Sequence, residues 1–170
     1  MTELPDRPVE STEILRVLVR HGVDFVVIGG LAVQTHGHLR TTKDLDIVPE
    51  PSRENYIRLA AALAELEAAL RGVDADLLGF DVTDADHLEW GGNFTLVTKH
   101  GWLDVFPPDL AKGAPPYAEL RRHALLVEIG GYAVAVAGLD HLLSMKRAAG
   151  RPVDLDDIAV LTAETARAGG

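Results

Sequence analysis

The 170-residue sequence contains no cysteine. Disulfides, thiolate metal sites and cysteine nucleophiles are therefore excluded. No apolar run approaches the ~20 residues of a membrane span. The polar, proline-containing start MTELPDRPVE does not read as a signal peptide. Basic residues are scarce, with 16 Lys and Arg against 26 Asp and Glu, for a net charge of −10. Tight, non-specific binding to nucleic acid draws its affinity from cations at phosphates, so this balance opposes it. There is no internal repeat, low-complexity tract or linker, no Lys-Ser/Thr pair of a Walker A loop and no Gly-x-Ser-x-Gly elbow. These absences fit a cytoplasmic protein with no membrane partner.

What is present is ordinary for one globular domain: 47% hydrophobic and 25% charged residues. Residues 1–10 read as a tail. Ser11 opens a helix whose apolar stripe is Ile14, Leu15, Leu18 and Val19. Val23 to Ile28 reads as a buried strand, Gly29-Gly30 as a turn, and Leu31 to His36 as a short helix. Arg40 to Val48 is expected to be a second strand, and Ser52 to cap a helix running to about Arg71. Asn93 to Lys99 and Gly101 to Phe106 form two further strands. A helix from Pro116 to His123 follows, then a hairpin of 124–129 and 132–137 around Gly130-Gly131. Leu139 to Ala149 is a helix. Asp154 is expected to cap the last one, with Asp157 at its third position. The expected class is α/β (α+β), with a core over 11–137 and a helical extension of the same domain over 138–170.

The chemistry concentrates in Arg40-Thr41-Thr42-Lys43-Asp44-Leu45-Asp46-Ile47-Val48. On a strand, Arg40, Thr42, Asp44 and Asp46 share one face and Leu45 and Ile47 the other. Two Asp residues at i and i+2 stand roughly 7 Å apart on that face. Their repulsion destabilises the site unless a cation lies near them, and a hard divalent ion with oxygen ligands, Mg²⁺ first, removes the conflict. Gly29-Gly30 follows a buried strand and opens a helix, so backbone N–H groups there can approach a phosphate. Thirteen residues, 31–43, separate it from Asp44. Asp104 sits in the apolar run Trp102-Leu103-Asp104-Val105-Phe106 and is costly to bury unpaired. Three carboxylates on neighbouring strands can hold two Mg²⁺ ions about 4 Å apart, the geometry of in-line nucleotidyl transfer. The tight pair His36 and His38 would not share a face, so no zinc site is expected there.

These residues resemble a known superfamily. Val27-Ile28-Gly29-Gly30, Asp44-Leu45-Asp46-Ile47 and Leu103-Asp104-Val105 look like the nucleotidyltransferases of the polymerase-beta-like fold. Arg40-x-Thr42-x-Asp44, Met145-Lys146-Arg147 and Asp154-Leu155-Asp156-Asp157 resemble its small bacterial branch, which includes AbiEii-type toxins of toxin–antitoxin modules. Short lincosamide and aminoglycoside nucleotidyltransferases share the Gly-Gly and Asp-Leu-Asp-Ile core. The resemblance implies a palm-like mixed sheet flanked by helices. It implies that Asp44, Asp46 and Asp104 bind Mg²⁺, with Asp104 also the general base. It further implies that Gly29 and Gly30, with Arg40 and Thr42, hold the nucleoside triphosphate, and that Lys146 and Asp157 are catalytic.

The acceptor stays open between a protein hydroxyl, a small molecule and tRNA. Asp74, Asp76, Asp81, Asp84, Asp86 and Glu89 form a stretch without Lys or Arg, which favours a cationic acceptor or a basic partner. The AbiEii resemblance points instead to tRNA and to an antitoxin partner, and Arg40, Arg121, Arg122, Lys146, Arg147 and Arg151 could gather on one side. Two function classes follow: an Mg²⁺-dependent transferase moving an NMP from an NTP to a hydroxyl, or a non-catalytic relative that only binds a partner.

Overall fold

The computed structural model describes residues 9–72 and 75–170, with the side chains of 75 and 76 excepted. Helix α1 (Ser11–Arg20) buries Ile14, Leu15, Val17 and Leu18. It leads into β1 (Phe25–Ile28), buried at every position as a central strand must be. Helix α2 (Gly29–Thr35) and β2 (Asp44–Pro49) follow. Ser52 then starts α3 (Arg53–Glu65), its hydroxyl accepting from the Asn55 N–H at 3.2 Å. After β3 (Ala69–Leu70) come the short helices α4 (Ala75–Leu78) and α5 (Ala85–Glu89). The hairpin of β4 (Phe94–Thr98) and β5 (Gly101–Val105) precedes α6 (Tyr117–Arg122). A second hairpin joins β6 (Leu125–Ile129) to β7 (Tyr132–Val136), and α7 (Leu139–Ala149) and α8 (Pro152–Ala168) close the chain.

The described strands form one mixed sheet in the order β3-β4-β5-β2-β1-β7-β6. Strand β2 lies between β1, its antiparallel neighbour, and β5, its parallel one. Leu45, Ile47 and Leu103 are fully buried in this centre. The alternation in β2 therefore sends its apolar side chains into the core and its two Asp residues to the other face. Among the described residues, no helix is long and apolar enough to cross a membrane.

Strand β1 begins at Phe25 rather than Val23, and Gly29-Gly30, expected as a turn, open α2 itself. Three boundaries differ by more than two residues. The strand expected from Arg40 begins at Asp44, where pairing to β5 begins, and pairing to β1 starts at Asp46. The segment before it is held elsewhere: Gln34 Nε2 donates to the Arg40 carbonyl at 2.5 Å, and the Arg40 side chain turns to Asp157. The long helix stops at Glu65 rather than Arg71. Glu67 takes φ of 54°, and Ala69 and Leu70 pair with Val97 and Leu96, so ladder formation at the sheet edge overrides the helical preference of alanine and leucine. The last helix begins at Pro152, not after Asp154. Pro is suited to a first helical position because its missing N–H would be unpaired there. Asp154 occupies the third position and accepts from the Arg151 backbone N–H at 3.1 Å. Asp157 is thus no part of the cap.

Candidate metal and nucleotide site

Strand register assembles the carboxylates. Asp46 on β2 is the Cα partner of Asp104 on β5, and Ile28 at the end of β1 is the partner of Asp46. The structure brings Asp44, Asp46 and Asp104 together, each offering an oxygen within 4.8 Å of the others. Asp44 and Asp46 are half-buried, whereas Asp104 is 7% exposed. Asp104 Oδ1 is buried and has no hydrogen-bond partner among the described residues. Burial, then the charges of Asp44 and Asp104, push the Asp46 carboxyl up to about 8. Burial and Asp44 push that of Asp104 up to about 6. Like charges this close cannot all ionise without a counter-ion. An all-oxygen donor set with an orphaned buried oxygen fits a hard divalent cation such as Mg²⁺ or Mn²⁺.

Close approach explains the glycine pair. Gly29 has φ of 67°, and a Cβ there would lie 1.9 Å from Asp46 Oδ2. A Cβ on Gly30 would lie 2.6 Å from Thr42 Oγ1. Only glycine lets the start of α2 lie against the carboxylate. Thr42 also donates to the Asp44 carbonyl at 3.0 Å, bracing the entry to β2.

A cavity of about 250 Å³ opens beside Gly29 and Asp46. Ile28, Phe106, Leu142 and Met145 give it an apolar wall, and Lys146 and Arg151 supply cations. These cations belong to a network that ties α7 and α8 to the segment before β2. Arg40 donates to Asp157 through Nε and Nη2 at 2.7 and 2.8 Å. Lys146 Nζ lies 3.0 Å from both Asp154 Oδ1 and Asp157 Oδ2. Arg151 Nε donates to Asp154 at 2.7 Å. Both carboxylates are fully buried and Lys146 is 5% exposed. Burial alone would raise Asp154, but hydrogen bonds from Arg151 and Lys146 bring it down to about 2. Asp157 is lowered in the same way, burial being outweighed by Arg40 and Lys146.

Every expected site residue therefore falls in one region, but in two groups. Asp44, Asp46, Asp104, Gly29 and Gly30 form the carboxylate centre, with Thr42 against Gly30. Arg40, Lys146 and Asp157 form the ion network beside it, with the Arg40 fork already occupied. Asp154, expected only to cap a helix, is the second buried carboxylate of that network. Its i, i+3 spacing from Asp157 on a helix was the available signal. His36 and His38 are held apart, one ring nitrogen 2.8 Å from the Ala137 carbonyl and the other 3.2 Å from Asp157. In the acidic stretch, Arg53 pairs with Asp86 and Glu89, and Asp81 accepts from the Thr83 hydroxyl. The Asp74 and Asp76 side chains lie outside the described residues.

Comparison with protein-family models and with curated proteins found no match. Solved structures do match. A Thermotoga maritima protein to which nucleotidyltransferase activity is ascribed aligns over 93% of this chain and 91% of its own, with a TM-score of 0.55 and 18% identity. The lincosamide adenylyltransferase LnuA, solved with lincomycin, aligns over 93% and 99%, with a TM-score of 0.57 and 15% identity. ANT(2")-Ia, solved with adenylyl-2"-tobramycin, aligns over 89% and 85%, with a TM-score of 0.55 and 16% identity. The chain shares the fold of these structures. At these identities the likeness concerns architecture, so the chemistry rests on the residues themselves.

Proposed function

We propose that this protein is a nucleotidyltransferase that moves an NMP from an NTP to an acceptor hydroxyl with the help of Mg²⁺. The observation that carries the reading is the convergence of Asp44, Asp46 and Asp104 beside Gly29 at the edge of a cavity with cations on its wall. A silent domain gains nothing from three facing carboxylates, two of them held well above the usual carboxylate range.

In this reading Asp44, Asp46 and Asp104 hold the metal, which when bound neutralises charge developing on the transferred phosphoryl group. Gly29 and Gly30 let the start of α2 lie against Asp46 and Thr42, so that the triphosphate would meet the α2 backbone beside Asp46. The apolar wall of Ile28, Phe106, Leu142 and Met145 takes the nucleoside, and Arg151 faces the phosphates. Lys146 contributes positive field while holding α7 to α8 through Asp154 and Asp157. The acceptor oxygen attacks the α-phosphorus, the bond to the β-phosphate oxygen breaks, and pyrophosphate leaves. The acceptor proton passes to the Asp104 carboxylate, which is partly protonated near neutrality in the free protein and ionised once a cation is beside it.

The AbiEii resemblance is supported by the engagement of Lys146 with Asp157, the two later residues it singles out. Against a polyanionic acceptor, Arg40, Lys146 and Arg151 are consumed by Asp154 and Asp157, while Arg121 and Arg122 are exposed at the end of α6. The test is transfer of label from α-labelled NTPs, with Mg²⁺ and with EDTA, to tRNA, to cell protein and to small aminoglycosides and lincosamides. Labelling that needs Mg²⁺ and is lost in Asp46→Asn supports the reading. No labelling of any acceptor, together with no binding of Mg²⁺ and NTP, leaves the partner-binding alternative.

A further inference from the structure

Arg71 lies just beyond β3, at the edge of the sheet. Its backbone N–H donates to the Thr95 carbonyl at 2.8 Å, and Thr95 is the Cα partner of Asp104 across β4 and β5. Its guanidinium carbon sits 4.2 Å from the centroid of the Trp102 ring. Trp102 and Asp104 are two residues apart on β5 and so share a face. From this platform Arg71 Nη2 reaches to 3.9 Å from Asp104 Oδ1. Arg71 Nη1 and Asp104 Oδ1 are both buried without a hydrogen-bond partner among the described residues. A separation of 3.9 Å is an ion pair but not a hydrogen bond, and a shift of about 1 Å closes it.

We propose that Arg71 is a positioning residue for Asp104 in the transfer reaction, an inference that rests on the transferase reading above. The guanidinium, held over the Trp102 ring, engages Oδ1 and so fixes the plane of the carboxylate. The other oxygen is left for the metal and the acceptor proton. Arginine suits this task because a planar fork can stack on a ring and donate from its edge, which an ammonium cannot do. Arg71 also lies on the β3–β4 side of Asp104, while Lys146 and Arg151 line the cavity beside Asp46. The carboxylate centre is thus bracketed by cations from two sides, and the one on Asp104 acts through that residue rather than on the triphosphate.

The experiment compares Arg71→Met and Arg71→Lys for transfer, for Mn²⁺ binding without nucleotide, and for Tm in the wild-type and Asp104→Asn backgrounds. In Arg71→Met, kcat is expected to fall at least about tenfold, the scale on which residues that orient metal ligands act. KM for the NTP stays within about twofold, and Arg71→Lys lies between wild type and Arg71→Met. Mn²⁺ binds the Arg71→Met protein at least as tightly as wild type, because a cation has left the vicinity of the carboxylates. The Tm lost in Arg71→Met is not lost when Asp104 is already Asn. A kcat within twofold of wild type, loss of Mn²⁺ binding, or an equal Tm loss in both backgrounds overturns the proposal and leaves Arg71 a packing residue. A wild type that neither transfers nor binds Mn²⁺ overturns the transferase reading instead, and the Tm comparison still decides whether Arg71 holds Asp104.

Discussion

Asp46 carries a cost in the free protein that the proposed cation would remove. Burial, then the charges of Asp44 and Asp104, push its carboxyl up to about 8 in the fold, far above the ~3.9 of an unfolded chain. The fold therefore favours the protonated form, so stability is fullest below about pH 4 and declines as pH rises through 8. Asp46→Asn is expected to raise the Tm of the metal-free protein at pH 8 and to change it little at pH 4. Mn²⁺ should raise the wild-type Tm at pH 8 and leave that of the variant unchanged; a variant destabilised at pH 8 counts against a repelled carboxylate. Asp104→Asn keeps the shape and removes the proposed base, and should lower kcat by about 10²–10⁴-fold, read in a labelled-NTP assay. Gly29 is constrained by the same carboxylate. Gly29→Ala places a side chain at φ of 67° and against Asp46 Oδ2. The backbone alone costs roughly 1–2 kcal/mol, and urea denaturation should show at least that loss together with weaker Mn²⁺ binding.

At the scale of elements, α7 and α8 owe their placement to buried charge. Lys146 touches two fully buried carboxylates on α8, and Arg40 reaches one of them from before β2. Removing one partner of such a set leaves the others buried without compensation. Asp157→Ala should therefore cost about 3–5 kcal/mol in urea denaturation. Acid should expose the same dependence. Hydrogen bonds from Arg151 and Lys146 outweigh burial and bring Asp154 down to about 2 in the fold, below its unfolded value, so its stabilisation is present above about pH 4 and is lost as pH falls toward 2. Denaturation midpoints at pH 5, 3 and 2 should fall less steeply in Asp154→Asn than in wild type.

At the scale of the whole molecule, the cavity is lined by parts of the chain that are remote in sequence, Ile28 and Gly29, Asp46, Phe106, and α7 with the start of α8, so the nucleotide proposed for it would join them. A ligand that binds only the native state stabilises it by mass action, about 2.7 kcal/mol at a hundred times Kd. For a chain of this size that is a Tm increase of about 5–10 °C. Mg²⁺ with NTP should produce it, and NTP in EDTA should not. The net charge of −10 bears on this less than local arrangement does, because screening confines Coulomb effects to about 8 Å at physiological salt. The acidic stretch illustrates the point: its charge is partly consumed locally by Arg53.

The mixed fold, the order of its longer helices and strands, and the carboxylate and glycine residues of the centre were legible in the sequence, whereas the short β3, α4 and α5 were not expected. They depend on short-range pattern: alternation in Asp44-Leu45-Asp46-Ile47, a buried run ending in Gly29-Gly30, and an Asp in an apolar strand. What the tertiary structure decided depends on register and on contacts between distant residues. Only the parallel pairing of β2 with β5 sets Asp46 opposite Asp104. Only the ladder with β4 ends α3 at Glu65 and delivers Arg71 to Trp102, because the local preference of the alanine-rich segment for helix is worth less than sheet pairing at that edge. Only the packing of α8 against α7 turns Asp154 and Asp157 from a capping pattern into buried partners of Lys146, Arg40 and Arg151. An ion pair spanning 117 residues of sequence, as between Arg40 and Asp157, leaves no periodic mark on either segment, so the chain has to fold before the pair exists.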